Sequence, residues 1–316
     1  MYKTKIIAVV IPIYNEERLI VKTIHSVPSY VDFIVAVDDQ STDYTFDALK
    51  KCQKTMPKRL VILQNEVNQG CGGALATGYK WVRDQHIDIA VRMDGDGQMD
   101  PSDLTSLLDP VVEEDVDYAK GNRLFTGEAY NKIPRVRYFG NAVLSFLTKI
   151  ASGYWQVADS QTGYTVISRR ALLTIDWDKM YKRYGQPNDL LVRLNVCNFK
   201  VRDVPVKPIY NVGEKSNMKI RVVTFTISWL LFKLFLWRLK EKYIIRDFHP
   251  LIFFYLLGFL LIFASMILFA RAVIVKFFIG YFPPITLLSW MFSVSIGFQS
   301  LFFAMWFDMD YHRDLR

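Results

Sequence analysis

The sequence predicts an α/β head built on a mostly parallel sheet, followed by an α-helical membrane tail. Three observations carry this. Apolar runs at 6–13, 33–37, 60–63 and 87–91 are separated by amphipathic stretches of helical length, the strand–helix alternation of a parallel sheet. Each run ends in polar or acidic residues, namely Tyr14-Asn15-Glu16, Asp38-Asp39, Asn65 and Asp94, and ligands of such sheets bind beyond the carboxyl ends of the strands. Beyond Val222 the apolar residues become nearly continuous, so composition alone separates head from tail.

A chain of 316 residues, 51% of them hydrophobic, is long enough for one sizeable soluble domain and a greasier segment. The formal charge of +8 would suit either nucleic acid or an anionic membrane surface. Lysines and arginines cluster where the tail begins, which favours the membrane and argues against nucleic acid. The three cysteines form no Cys-x-x-Cys pair, so neither a disulfide framework nor a zinc site is indicated, and a cytosolic head is expected. The apolar run near the N-terminus is short, lacks a small-residue cleavage pattern and reads as a first strand.

The first strand leads into Val10-Ile11-Pro12-Ile13-Tyr14-Asn15-Glu16-Glu17. The second ends in Val37-Asp38-Asp39-Gln40-Ser41-Thr42-Asp43, where a carboxylate could accept from a nucleotide base or ribose, and Ser41 or Thr42 could equally cap the next helix. Asn68-Gln69-Gly70-Cys71-Gly72-Gly73 is a glycine-rich helix entry that could meet a diphosphate, although it matches neither the Walker nor the GxGxxG spacing. The fourth strand runs into Asp94-Gly95-Asp96-Gly97-Gln98. If this stretch stays extended, Asp94, Asp96 and Gln98 share a face and offer three oxygen donors suited to Mg²⁺ or Mn²⁺. An EF-hand loop is disfavoured because Met99 stands where that loop needs glycine.

The stretches 10–17, 37–43 and 94–98, in this order, resemble family 2 glycosyltransferases with a GT-A fold, a Rossmann-like mostly parallel sheet, and within them the polyprenyl-phosphate type, including the dolichyl-phosphate mannosyltransferases. The resemblance covers residues 1–215. It implies that Pro12, Tyr14, Glu16 and Asp39 hold the nucleoside of a nucleotide-sugar donor and that Asp94, Asp96 and Gln98 hold the metal, while the glycine-rich entry at Gly70 is the candidate for its diphosphate. Gly121-Asn122-Arg123 is similar to the family's Gly-Ser-Arg, and Arg135 and Arg137 lie in a segment whose arginine meets the acceptor phosphate. Asp159 opens a match to the family's Asp-x-x-x-Gly-aromatic motif, which closes over the donor sugar. Asp189 stands where many members carry the base, with Asn188 in place of the usual glutamate. Lys215 belongs to a Gly-Glu-Lys-Ser variant of a phosphate-binding loop. The Gln-x-x-Arg-Trp signature of processive enzymes is absent.

In the tail, 250–270 and 285–307 each run for about 20 residues without a charge, the length that crosses a bilayer as helix. Residues 216–248 mix Trp229, Phe232, Phe235 and Trp237 with Arg221, Lys233, Arg238, Lys240 and Lys242, which suits basic helices lying among headgroups, although 222–237 could also be a short third span. The expected layout is a cytosolic catalytic domain at 1–215, interfacial helices at 216–248, and two spans within 249–316 joined by an outer loop at 271–284. This describes an integral protein of the cell membrane, or of the endoplasmic reticulum in a eukaryote. The expected reaction moves a sugar from a UDP- or GDP-linked donor to a polyprenyl phosphate, undecaprenyl or dolichyl, with inversion. Transfer to a hydroxyl of a lipid-linked saccharide, with Asp189 as base, is the alternative. A catalytically dead scaffold is a third reading, disfavoured by intact Asp94, Asp96 and Gln98. The sugar is not legible, and a homo-oligomer stays open.

Overall fold

The computed structural model describes residues 1–125, 135–207, 209 and 220–315. Seven strands form one sheet in the order β3-β2-β1-β4-β6-β5-β7. They are β1 (Ile7–Ile13), β2 (Phe33–Asp38), β3 (Leu60–Gln64), β4 (Ile89–Arg92), β5 (Tyr118–Asn122), β6 (Thr165–Ser168) and β7 (Val201–Pro205). The β1–β2, β1–β4, β2–β3 and β5–β7 pairs are parallel, whereas β6 runs antiparallel to both β4 and β5. The mostly parallel sheet is therefore as expected, with one reversed strand inserted.

Every residue of β1 is buried, as in a central strand covered on both faces. Its alternation sorts the core. Ala8 and Val10 pack with Ala74, Tyr79 and Leu190 on one face, while Ile7, Val9 and Ile11 pack with Ile20, Ile24 and Leu107 on the other. The covering helices are α1 (Ile20–Ser26) and α4 (Leu104–Glu113) on the second face, and α3 (Cys71–Asp84) and α7 (Gln186–Val196) on the first, with α2 (Thr45–Thr55), α5 (Arg135–Ser152) and α6 (Arg169–Thr174) completing the head. At Gly78 of α3 a Cβ would come within 2.3 Å of Val10 Cγ1, so only glycine lets this helix lie so close to the strand.

Further on, α8 (Ile220–Lys240) continues into a π-helical turn, Glu241–Arg246. Ile227, Leu231 and Leu234 are buried and Phe225, Trp229 and Phe232 exposed, with the Lys233 ammonium 5.4 Å from the Trp229 ring centre. One helix, not several, occupies the segment expected to be interfacial. Among the described residues, α9 (Leu251–Ile279) and α10 (Pro284–Tyr311) are the two helices long and apolar enough to cross a membrane. They pack through small residues, a Cβ at Gly258 meeting Leu301 Cδ2 at 2.6 Å. The expected loop at 271–284 is corrected: α9 runs on through Arg271 to Ile279 and ends only where Gly280 adopts a left-handed φ of 88°, which leaves 280–283 as the turn.

Candidate active site

Strand direction decides which loops meet. β1, β2 and β4 are parallel, so Tyr14–Glu16, Asp38–Asp39 and Asp94–Gln98 leave the sheet at one edge. Because β6 is reversed, the segment that enters it, Asp159 to Tyr164, arrives at that same edge, and Arg123 at the end of β5 joins it. The order of strands turns between β1 and β4, which is where ligands of open α/β sheets bind.

Pro12 fits this place. Val10 O accepts from Met93 N at 3.1 Å, so position 12 faces the same side, beyond the point where β4 has ended. The missing proline N–H therefore leaves no ladder bond unmade. Next to it, Ser41 and Thr42 do not cap α2. Ser41 Oγ accepts from Asn15 N (3.0 Å), Thr42 N donates to Asn15 Oδ1 (2.8 Å) and Thr45 Oγ1 accepts from Glu16 N (2.8 Å), clasping the two neighbouring loops together. Tyr14 stands exposed at this rim.

Asp39 is buried and looks inward. Its carboxylate accepts from Asn65 Nδ2 (2.7 Å), Gln69 N (2.9 Å) and Gly70 N (2.7 Å), while Gly73 N donates to Lys182 O (3.1 Å). The N–H groups of Gln69, Gly70 and Gly73 are thus used within the protein. A Cβ at Gly72 would sit 2.3 Å from Tyr181 O, so these glycines admit the 181–182 backbone, and the expectation that Gly70 meets a diphosphate is corrected accordingly.

The acidic turn also differs from the extended segment expected. β4 stops at Arg92, Gly97 takes φ +70°, and Asp96 Oδ1 accepts from Gln98 N at 3.0 Å, so 94–98 is a folded turn rather than a strand with alternating faces. Asp94 is held by Arg92, Nε to Oδ1 at 2.9 Å and Nη2 to Oδ2 at 3.3 Å. Burial first, and then the charges of Asp96, Asp43 and Asp94, push the Glu16 carboxyl up to about 7. That is a local excess of negative charge, which a divalent cation would relieve, and the donors are all hard oxygens of the kind Mg²⁺ and Mn²⁺ take. Among the described residues no three His, Cys, Asp or Glu side chains converge into a ready-made metal group, so ligand oxygens would have to complete the shell.

Across the cleft, Arg123 forks onto Asp159, with Nε to Oδ2 at 2.7 Å and Nη2 to Oδ1 at 3.2 Å. Burial of Asp159 opposes its ionisation, but the charge and hydrogen bonds of Arg123, with the Lys120 charge and the Gln161 N–H, together outweigh that and hold the carboxyl below its ordinary range. Asp189, expected as a base, is 1% exposed and already engaged: Tyr181 N donates to Oδ2 (2.7 Å) and Arg193 Nε to Oδ1 (2.9 Å). Its place at the start of α7 lets it fasten the 177–185 segment, with both oxygens engaged where a base would need one free. Arg135 begins α5, but its side chain and that of Arg137 lie outside the described residues, as does Lys215.

Two residues were missed. Arg92, buried in β4, also donates to Gln186 Oε1 (2.9 Å) and to Cys71 Sγ (3.3 Å). Lys120, fully buried in β5, donates to Thr162 O at 2.6 Å, and burial pushes its ammonium down to about 7 against the pull of Asp159. The available signal was a lone cation inside each apolar strand, at Val91-Arg92-Met93 and Tyr118-Ala119-Lys120, since a buried charge is rare without a partner.

A parallel sheet with an acidic turn at its switch point and one reversed strand beside it is the architecture of a GT-A glycosyltransferase. The chain belongs to the glycosyl transferase family 2, whose model matches residues 8–175. It is similar to the UDP-N-acetylglucosamine–dolichyl-phosphate N-acetylglucosaminyltransferase of Methanococcus voltae, 29% identical over 242 residues, covering 73% of this chain and 96% of that protein. The polyprenol monophosphomannose synthase of Mycolicibacterium smegmatis is 29% identical over 227 residues, 70% of this chain and 84% of that one. Among solved structures, glucosyl-3-phosphoglycerate synthase from Mycobacterium tuberculosis, in complex with Mn²⁺, uridine diphosphate and glucosyl-3-phosphoglycerate, aligns with a TM-score of 0.55 over 74% of this chain and 80% of that one. At 19% identity this is a likeness of fold.

Proposed function

We propose that this glycosyltransferase moves a sugar from a UDP- or GDP-linked donor to a polyprenyl phosphate, with inversion at the anomeric carbon. The observation that carries the reading is topological: the reversed β6 brings Arg123, held in place by Asp159, to the same sheet edge as the Asp94–Gln98 turn, so a fixed guanidinium stands at the cleft that the acidic donor side lines. Tyr14 and the Glu16 loop support the nucleoside. Asp94, Asp96 and Gln98 would hold Mg²⁺ or Mn²⁺, which when bound neutralises the charge gathering on the departing nucleoside diphosphate.

A phosphate monoester has a second pKa near ~6, so at neutral pH its oxygen is largely ionised. That oxygen attacks the anomeric carbon as the bond to the diphosphate breaks, and no proton has to be removed from it. What the protein must supply is position and positive charge, and Arg123 is the described residue suited to that, with Arg135, Arg137 and Lys215 as further candidates on the sequence. A hydroxyl acceptor would need a base. Asp189, with both oxygens occupied, is poorly placed to be one. In this reading α9 and α10 span the membrane that holds the lipid acceptor.

The test offers the purified protein a panel of nucleotide sugars with polyprenyl phosphate in membranes and identifies the lipid product. Transfer to a lipid-linked saccharide, with none to polyprenyl phosphate, would sink the reading.

A further inference from the structure

Arg92 has no part in the function as set out so far, yet it is the most connected side chain of the cleft. It is 7% exposed, and its guanidinium reaches three elements at once: Asp94 in the acidic turn, Gln186 at the start of α7 and Cys71 at the start of α3. The fold leaves room for it at Gly163, where a Cβ would lie 3.0 Å from Arg92 Cζ and 2.4 Å from Asp94 Oδ2. A guanidinium stays charged throughout the physiological range. Both oxygens of Asp94 are therefore faced by a permanent cation before any metal arrives.

From this geometry we infer that Arg92 is a positioning residue that acts as a built-in counter-ion to Asp94, so that the divalent ion binds weakly alone and firmly only together with the donor's diphosphate. The inference rests on the reading that Asp94 is a metal ligand. An ion approaching the empty cleft must share Asp94 with Arg92, and the described side chains form no carboxylate trio to compensate. A nucleoside diphosphate adds hard oxygens to the ion and negative charge near the guanidinium, so each ligand makes the other's site better. Coupling of this kind is reciprocal: the factor by which nucleotide tightens the ion equals the factor by which the ion tightens nucleotide.

The full-length protein is titrated with Mn²⁺, free ion being followed by its paramagnetic resonance signal, alone and with saturating UDP or GDP. Wild type is expected to bind Mn²⁺ at least about tenfold more tightly with the matching nucleotide. In Arg92→Met the affinity for Mn²⁺ alone rises by a factor on the order of ten and the coupling shrinks, because Asp94 is released. Arg92→Lys keeps a buried charge without the fork and is expected between the two. It also serves if thermal melting shows the methionine variant to be unfolded. Unchanged Mn²⁺ affinity and unchanged coupling in a folded Arg92 variant overturns the inference while the metal reading stands. No Mn²⁺ uptake by wild type with either nucleotide overturns both.

Discussion

The two sides of the cleft handle charge in opposite ways. Beside β4 and β6, carboxylates come with their own arginines: Asp94 with Arg92 and Asp159 with Arg123. On the β1–β2 side, Asp38, Asp39 and Asp43 are met by amides and backbone N–H groups instead, and Glu16 is raised to about 7 among its acidic neighbours. The difference is one of completeness. A carboxylate locked to a buried arginine is already compensated, whereas a cluster satisfied only by neutral dipoles stays electrically open and attracts a cation from outside.

The most severe way to break this contrast is to remove the ion or its ligands. Excess EDTA should abolish turnover, restored by Mg²⁺ or Mn²⁺, and Asp94→Asn or Asp96→Asn should each lower kcat by a factor on the order of 10² to 10³, the melting temperature falling in Asp94→Asn, which weakens the Arg92 pair, and changing little in Asp96→Asn. Normal rates in both variants would move the metal elsewhere. On the opposite side, Arg123→Ala should cost a factor of about ten to a thousand in kcat/KM, the equivalent of one charge-assisted contact, measured with polyprenyl phosphate as acceptor. Asp189→Asn should behave differently. Its loss opens the buried pair with Arg193, so thermal denaturation should register about 3 kcal/mol of lost stability, while the folded fraction keeps kcat within a few-fold. A hundredfold fall in kcat at unchanged stability would restore Asp189 as a base and favour the hydroxyl acceptor.

A milder probe is Gly163→Ala. The new methyl would fall within 2.4 Å of Asp94 Oδ2 and must displace it, so KM for the metal should rise roughly tenfold. The smallest effect concerns Lys120. Burial pushes its ammonium down to about 7 from the ordinary lysine value of 10.5, so between those values the unfolded chain holds the extra proton. Stability should therefore rise with pH across that window, by at most about 1.4 kcal/mol per pH unit, and be flat with respect to this group below pH 7. Lys120→Met should remove that slope in denaturant titrations; an identical pH dependence in wild type and variant would show that Lys120 is charged throughout.

Much of this was legible beforehand. The four apolar runs became β1 to β4, and the two charge-free stretches became α9 and α10, because continuous burial leaves an unbroken apolar signature. The acidic turn was placed correctly at a strand end, but its shape was not, since Gly97 folds back what alternation would have kept extended. Residues whose partners are far along the chain were the ones missed. Arg92 meets Gln186 across 94 positions, and Lys120 meets Thr162 across 42, and no local pattern encodes either. The same holds for Asp39. Two carboxylates side by side say nothing of which one turns inward to the Gln69 and Gly70 amides.

The turn at 280–283 has a consequence for traffic between leaflets. If α9 and α10 span the bilayer, almost no described chain stands between them on the far side, and the two helices meet closely through Gly258, Leu301 and small residues such as Ser265, Ser293, Gly297 and Ala304. Helices in such close contact leave no room between them for a sugar phosphate to pass. In proteoliposomes containing only this protein, the newly attached sugar should stay accessible from the side on which the donor was supplied.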